Sequence, residues 1–126
     1  SWYLIRHGEL LGYSEAEHLM VAAIARYHRR SLPKKRHESW QALQSRDNRR
    51  TVSDMALLLR LAVALDRRPE PVFQSLLVNV NNEDLVLELI GEKADQDFSL
   101  EQWSLESCAP MLREVAGLNL KLKVQE

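Results

Sequence analysis

The sequence predicts an α+β protein in which an N-terminal all-helical bundle is followed by a small, mostly antiparallel sheet with one helix. Apolar residues follow a helical period as far as Leu65, and they alternate with polar residues after Pro71. Between the two patterns, Asp66–Pro71 contains two prolines, which interrupt a helix. We therefore predict a helical domain over residues 1–70 and a small α+β module over residues 71–126.

The first domain contains four predicted helices. Ser1–Leu10 has the pattern of a helix interior or end, and because the chain starts there without Met we expect a piece of a longer protein. Ser14 and Glu17 have the spacing of a capping box, which begins a second helix. A short helix is predicted over Glu38–Gln44. Thr51–Leu65 carries the widest apolar stripe, which is typical of a helix at the centre of a bundle.

The second module begins with two β-rich runs. Gln74–Val80 and Asp84–Ile90 are predicted to be strands, and Asn81-Asn82-Glu83 between them reads as a hairpin turn. Leu118–Val124 alternates apolar with polar residues, as a strand with one face in water does. These patterns predict a sheet of the antiparallel kind.

Phe98–Trp103 is compatible with a strand or a helix, and Pro110 is used to choose between them. In one helix from Ser99 to Ala116, Pro110 would lie deep in the interior, at a cost of ~3 kcal/mol. In a shorter helix it lies near the first turn, where its missing N–H does little harm. We therefore predict a third strand at Phe98–Trp103 and a helix over Leu105–Ala116, ended by Gly117.

Composition excludes some classes of protein. No apolar run approaches the ~20 residues that a membrane-spanning helix needs, and the start lacks the pattern of a signal peptide. The single cysteine, Cys108, cannot form an internal disulfide or contribute to a multi-cysteine zinc site. A single cysteine fits a reducing compartment, so we expect a cytoplasmic protein.

The residues do not have the pattern of a complete enzyme. The four histidines are scattered, and the four glycines are isolated rather than grouped in a phosphate-binding loop. Cys108 has no histidine near it in the sequence, and carboxylate pairs such as Glu83 and Asp84 lie at a cap or a turn. We therefore predict no catalytic residue and no metal ligand.

The densest positive charge lies in Arg26–His37, which we call the basic segment. It holds eight Arg, Lys or His side chains and no acid. Such a cluster either binds a polyanion or forms a solvated face, and its first residues also suit the negative end of a helix. Tyr27 lies near its start and Trp40 shortly after its end, and single-stranded nucleic acids stack their bases on such aromatics. The residues alone leave these alternatives open.

Several stretches of the chain resemble one known family. Trp2–Ile5, Leu11–Ser14 with Glu17, Ile24–Arg30 with Pro33, and Leu58–Arg67 occur in this order. They resemble the C-terminal helical region of the exopolyphosphatase/guanosine pentaphosphatase (Ppx/GppA) family. The resemblance covers most of the first 68 residues, and its most specific part is the run Arg-Tyr-His-Arg within Ile24–Arg30. The tail is similar, less specifically, to the small β-rich end of some members.

The resemblance implies an HD-like helical domain that has no active site of its own. The histidine–aspartate pair of HD phosphohydrolases would precede Ser1, and Val63 stands where their late metal-binding aspartate would fall. The family's catalytic acids, phosphate loops and magnesium site lie in N-terminal actin-like domains, whose motifs this sequence lacks. The complete enzyme is thus expected to need Mg²⁺, and this chain alone is expected to be inactive.

By the same resemblance, the chain is expected to be an accessory module that binds the polyanionic substrate of an exopolyphosphatase or guanosine pentaphosphate phosphohydrolase. The resemblance also implies a homodimer. Two alternatives remain: a non-enzymatic module that binds nucleic acid or protein, and a degenerate HD phosphohydrolase. The predicted substrate-binding residues are Arg26, His28, Arg29, Arg30, Lys34, Lys35 and Arg36.

Overall fold

The computed structural model describes residues 2–8, 12–28, 38–43 and 45–125. It divides into two compact units, Ser1–Arg60 and Leu61–Glu126. The described part of the first unit is helical, and the second unit contains a three-stranded sheet, so the predicted α+β class is confirmed. The domain boundary predicted between Glu70 and Pro71 stays a prediction.

Each of the four predicted N-terminal helices is present. A histidine joins the first two, because Nε2 of His18 donates a hydrogen bond to the backbone carbonyl of Ile5. In the described ranges, no helix combines the length and the apolar character needed to cross a membrane. The helices are α1 (Trp2–His7), α2 (Glu15–Tyr27), α3 (Glu38–Gln41) and α4 (Arg46–Leu65).

The capping box predicted for α2 is confirmed. Ser14 Oγ accepts from the backbone N–H of Glu17 at 3.1 Å, and the Glu17 carboxylate accepts from the backbone N–H of Ser14 at 2.9 Å. Further along α2, Ala22 and Ala23 are fully buried. Side chains this small let a neighbouring segment of the same polypeptide pack closely against the helix backbone.

Helix α4 begins earlier than predicted and buries only part of its apolar stripe. Ser45 precedes its first residue, and Ser45 Oγ accepts from the backbone N–H of Asn48 at 3.3 Å. The first turns are polar, so hydrophobic periodicity did not reveal them, whereas a serine in this position favours a helix start. Val52 and Ala56 are fully buried, but Leu58 on another face is 59% exposed.

The sheet has the order β1-β2-β3, with β1 (Phe73–Asn81), β2 (Asp84–Gly91) and β3 (Asn119–Val124). Strands β1 and β2 form the predicted antiparallel hairpin, and its turn places Asn82 at φ 57°, a left-handed conformation that Asn tolerates. Strand β3 pairs with β2 in parallel. The prediction of a mostly antiparallel sheet therefore holds for the hairpin and not for this second pair.

The prediction of a strand at Phe98–Trp103 is wrong, because Ser99 begins a helix. This module contains two helices, α5 (Ser99–Glu106) and α6 (Ala109–Ala116), instead of one. The chain turns between them, so Pro110 lies in the first turn of α6 and interrupts neither helix. The buried residues of the region have helical spacing, and one of them is charged: Glu101, Ser104, Leu105, Cys108, Met111 and Leu112.

Helices α5 and α6 form the crossover that a parallel pair of strands requires. Gly117 ends α6 with φ 69°, as its position in the sequence predicted. In β2, the alternate residues Leu85, Leu87 and Leu89 are buried. The core of the second unit therefore lies on one face of the central strand.

A buried ion pair joins the segment after α4 to α5. The Glu101 carboxylate is fully buried, and the Arg68 guanidinium contacts both of its oxygens, with Nε to Oε2 at 2.9 Å and Nη2 to Oε1 at 3.1 Å. Close to it in sequence, the rings of Phe73 and Phe98 stack with their centroids 4.9 Å apart. These contacts fix the proline-containing segment within the second unit.

Candidate functional site

The basic segment begins at the C-terminal end of α2. Arg26 lies in the last turn of this helix, and His28 is the residue that caps it. Both are described. The other predicted substrate-binding residues, Arg29, Arg30, Lys34, Lys35 and Arg36, lie outside the described residues. The described part of the site is therefore the C-terminal end of α2, where the segment begins, together with the residues that follow His37.

Two aromatic side chains, one near the start of the basic segment and one shortly after its end, contact each other. The ring of Tyr27 is fully buried and meets the ring of Trp40 edge to face, with the centroids 6.2 Å apart. The Arg26 guanidinium lies 5.7 Å from the Tyr27 centroid, and that of Arg49 lies 5.5 Å from the Trp40 centroid. At these distances a cation is attracted to the ring. The cluster holds α2 and α3 together beside the segment.

Arg60 of α4 brings a further positive charge to the end of α2. Its Nε donates to the backbone carbonyl of His28 at 3.2 Å, and its Nη2 donates to that of Tyr27 at 3.3 Å. A helix C-terminus carries partial negative charge, which repels an anion. By contacting these carbonyls, Arg60 offsets that repulsion at the start of the basic segment.

Sequence reasoning did not identify Arg60 as part of this cluster, although a signal was present. Arg60 is the single charged residue in the apolar stretch Ala56–Leu65. A charged residue in such a stretch needs a partner when it is removed from water. Its partners lie more than thirty residues away in the chain, at the end of another helix, so spacing alone could not reveal them.

One ring nitrogen of His28 makes a hydrogen bond to the backbone of its own helix. Nδ1 lies 2.7 Å from the backbone carbonyl of Ala25. A carbonyl oxygen only accepts hydrogen bonds, so Nδ1 must carry the proton in this contact. In the neutral ring Nε2 is then an acceptor, and a neutral His28 has no second N–H for a phosphate oxygen. Binding a phosphate through His28 therefore requires the protonated ring.

The described residues were compared with the requirements of a metal site and of a cysteine nucleophile. Nowhere in 2–8, 12–28, 38–43 and 45–125 do three or more His, Cys, Asp or Glu side chains form a group that could hold a metal ion. The thiol of Cys108 is buried and lies 3.5 Å from the carbonyl of Ser104. We therefore assign no magnesium ligand and no nucleophile to these residues.

Among the residues that the structure describes, Glu17 and Asp97 have carboxyl groups with lowered pKa values, and both accept hydrogen bonds from the backbone at a helix start. The backbone N–H of Ser14 donates to Glu17 and lowers the pKa of its carboxyl. The backbone N–H of Ser99 donates to Asp97 at 2.9 Å and lowers the pKa of that carboxyl in the same way. Hydrogen bonds to the ionised form account for both shifts, so they indicate local structure and not acid–base catalysis.

An open cleft of about 450 Å³ lies in the first unit, between α2 and the start of α4. Its walls are mostly apolar, and they include Glu15, Ala16, Leu19, Ala42, Leu43, Ser45 and Asn48. Of the predicted substrate-binding residues that the structure describes, neither Arg26 nor His28 lines it. The cleft is thus separate from the positive charge that Arg26 and Arg60 bring to the end of α2.

Comparison with known protein families gives one match. The model of Ppx/GppA phosphatase domain III matches residues 1–114, which is most of the chain. The chain belongs to this family. No curated protein matched the sequence. The resemblance noted from the motifs of the first 68 residues is thus confirmed, and the match extends it through β1, β2 and α5 into α6.

Within the Ppx/GppA family, the matched part is an accessory domain. Val63, which the resemblance sets against the metal-binding aspartate of HD phosphohydrolases, lies on α4 and is 43% exposed. A valine side chain has no donor atom for a metal. Even if the helices are HD-like, the residue at this position therefore cannot be a metal ligand.

Proposed function

We propose that this Ppx/GppA domain binds the phosphate chain of polyphosphate or guanosine pentaphosphate and holds it for an active site in other domains. The observation that supports this most is the charge at the end of α2. Arg26, Arg60 and the protonatable His28 lie there, where a segment begins that contains no acid. Arginine suits this task because its planar guanidinium can contact two phosphate oxygens at once.

The proposal divides the work between binding and chemistry. A dense positive surface raises the local concentration of a polyanion and steers it toward a neighbouring site. The catalytic acids and the magnesium site are assigned, by family resemblance, to actin-like domains of the parent chain. In this chain the basic segment supplies the positive charge that attracts the phosphates. Arg60 offsets the partial negative charge of the C-terminal end of α2, which would otherwise repel them.

A four-residue substitution in the basic segment tests the proposal. We expect that replacing Arg29, Arg30, Lys34 and Lys35 with Ala weakens the binding of long-chain polyphosphate. The same change should flatten the dependence of log K on log salt, because fewer counterions are released. Binding is measured by fluorescence anisotropy with labelled polyphosphate at several salt concentrations.

The matched control removes four positive charges elsewhere. Arg67, Lys93, Lys121 and Lys123 are exposed in the second unit, and their joint replacement with Ala changes the net charge by the same amount. Only the variant of the basic segment should lose affinity. If both variants lose it equally, the attraction comes from overall charge. If neither does, the segment is not the binding surface.

A nucleic-acid-binding module is the main alternative, and one observation disfavours it. Single-stranded nucleic acids need exposed rings for base stacking, whereas Tyr27 is fully buried and packs edge to face against Trp40. Competition between polyphosphate and a single-stranded RNA of equal charge separates the two functions. Polyphosphate should displace RNA at lower phosphate concentration, and the reverse order would favour the alternative.

A further inference from the structure

Strand β1 is an open edge of the sheet in the second unit. It lies first in the order β1-β2-β3, and among the described residues only β2 pairs with it. An edge strand presents unpaired backbone N–H and C=O groups, and these groups are a template for a further strand. The edge lies outside the basic segment, so what it binds is independent of the proposed function.

Strand β1 lacks the charges that usually protect an edge. Between Phe73 and Asn81 there is no charged residue and no proline. The other edge strand, β3, carries Lys121 and Lys123, and lysines on an edge oppose the addition of another strand. Of the two edges of this sheet, β1 is therefore the more open one.

Apolar side chains extend the core face of the sheet out to β1. In the hairpin, Val78 lies opposite Leu87, and Val80 lies opposite Leu85, so the members of each pair point to the same face. The β2 residues of these pairs are buried, whereas Val78 is 59% and Val80 is 57% exposed. A strand added at this edge covers the two valines if its own apolar residues point to the same face.

The hairpin that carries this edge is acidic throughout. Residues 69–92 contain five acids and no Lys, Arg or His. One of the acids, Glu88, lies in the middle of β2 on the face away from the core, opposite Leu77 of β1. None of the ion pairs between described residues includes Glu88. A positively charged partner is therefore attracted to this hairpin and an acidic one is repelled.

Strand β3 shows which kind of strand fits beside this hairpin. It pairs with the other side of β2, where Leu122 lies next to Leu87 on the core face. The following residue, Lys123, lies next to Glu88 on the opposite face. Apolar residues of β3 thus continue the core face, and its lysines lie on the face that carries the carboxylate.

A strand with the same alternation fits the free side of β1. Its apolar residues lie beside Val78 and Val80, and its basic residues lie beside Leu77 on the other face. Neighbouring strands are about 4.8 Å apart, so a lysine beside Leu77 has its backbone roughly 10 Å from that of Glu88. The two long side chains together can span this distance.

A second copy of β1 does not have this alternation. When two β1 strands pair antiparallel about Val78, Leu77 of one copy lies opposite Asn79 of the other. Both hairpins also carry negative charge, and like charges oppose association. The edge is therefore suited to a strand of different chemistry from its own.

We propose that β1 is a docking edge for a partner protein, which adds to the sheet an extended segment of apolar residues alternating with Lys or Arg. The backbone groups of β1 supply the hydrogen bonds, as in other complexes formed by strand addition. The apolar side chains of the segment cover Val78 and Val80, and its cations face Glu88.

A peptide with the sequence of Leu118–Gln125 is the probe, because it has the required alternation and two lysines. The chain's own β3 is tethered at an effective concentration of about 1 mM, so micromolar peptide does not displace it. Anisotropy of the labelled peptide, titrated with the 126-residue chain, measures binding. We expect saturable binding that weakens as the salt concentration rises. A control peptide with Glu in place of both lysines should bind at least about tenfold more weakly.

Two substitutions of valine by lysine locate the site. Val78→Lys places a charge on the edge, where it opposes strand addition, and should raise the dissociation constant of the lysine peptide by about tenfold. Val63→Lys makes the same substitution at an exposed valine of α4. It changes the net charge equally and should leave the dissociation constant unchanged.

Glu88→Gln tests the charge recognition. Removal of this carboxylate should reduce the preference for the lysine peptide over the glutamate peptide and weaken the salt dependence of binding. Glu114→Gln, at an exposed glutamate of α6, is the matched control and should retain the full preference.

Four results would overturn the proposal. If neither peptide binds, the edge does not accept a strand of this kind. Equal affinities for the two peptides would mean that the partner need not be basic. Equal binding to the Val78→Lys and Val63→Lys variants would place the peptide elsewhere, including the position of β3 beside β2. Sedimentation that shows dimers of the native chain, dissociated by Val78→Lys, would make a second copy the occupant of the edge.

Discussion

A single arginine shows how a distant contact organises the candidate site. Arg60 donates to the backbone carbonyls of Tyr27 and His28, which are among the groups that a helix end leaves without partners inside the helix. The same guanidinium thus completes α2 and adds positive charge beside the basic segment. At this residue, stability and the proposed binding depend on one side chain.

We predict that Arg60→Gln destabilises the chain. Hydrogen bonds from a charged donor contribute about 1.5–3 kcal/mol, and the shorter glutamine cannot reach both carbonyls. The urea midpoint followed by circular dichroism should therefore fall. Arg67→Gln, at an exposed arginine after α4, is the control and should leave the midpoint unchanged. Equal midpoints for both variants would mean that the Arg60 contacts contribute nothing to stability.

The buried pair of Arg68 and Glu101 leads to a second prediction. Removing one partner leaves the other charge uncompensated, at a cost of about 3–5 kcal/mol for a fully buried pair. The exposed fraction of the Arg68 side chain is 27%, so we expect Glu101→Leu to lower the free energy of unfolding by about 3 kcal/mol, at the bottom of that range.

The double variant Arg68→Met with Glu101→Leu should recover most of this loss, since an apolar pair replaces both charges and no unpaired group remains. Urea unfolding of the two single variants and the double variant gives the coupling between the residues. Additive losses, with no recovery in the double variant, would show that the two side chains stabilise the unit separately.

At the scale of single elements, the capping box of α2 predicts a dependence on pH. Because the pKa of Glu17 is lowered from 4.5 in the folded chain, its contribution to stability is complete above pH 4.5. It is lost as the pH falls through the lower folded-state pKa. Glu17→Gln removes the charge and retains the polar side chain, so it isolates this contribution.

The stability difference between the native chain and Glu17→Gln should therefore be larger at pH 7 than at pH 2.5. Urea midpoints at both pH values measure it. Glu114→Gln, at an exposed glutamate of α6, serves as the control for loss of a surface charge. A difference that is the same at both pH values would mean that the ionised Glu17 does not stabilise the cap.

Most elements could be predicted from local patterns, and the exceptions have physical causes. The capping box of α2, the hairpin turn and Gly117 are local signals, and each appears in the structure. The helix α5 was missed because Pro110 was weighed only against one continuous helix over Ser99–Ala116, whereas a turn divides the region into two helices. Glu101, a charged residue on the buried side of α5, also interrupts the apolar period. Its partner, Arg68, lies in a different part of the chain, so no local pattern indicates that the charge is compensated.

At the scale of the whole molecule, the sequence predicts the class and the family more fully than the site. Alternation in β3 indicated a strand but not its partner or direction, because parallel pairing depends on the crossover through α5 and α6. For the candidate site, composition located the positive charge in Arg26–His37. The contribution of Arg60 and the inward hydrogen bond of His28 required the fold.

The parallel pairing of β3 also determines when the sheet can be completed during synthesis. The family match ends at residue 114, before β3 begins at Asn119. The β1–β2 hairpin is therefore synthesised before the partner of the other side of β2. This side stays unpaired until the crossover helices and then β3 have been synthesised. Pairing over such a sequence separation forms slowly, and until then Leu85, Leu87 and Leu89 lack their full cover. A chain that ended at residue 114 would lack β3, so β2 would stay unpaired on that side and the three leucines would stay incompletely covered.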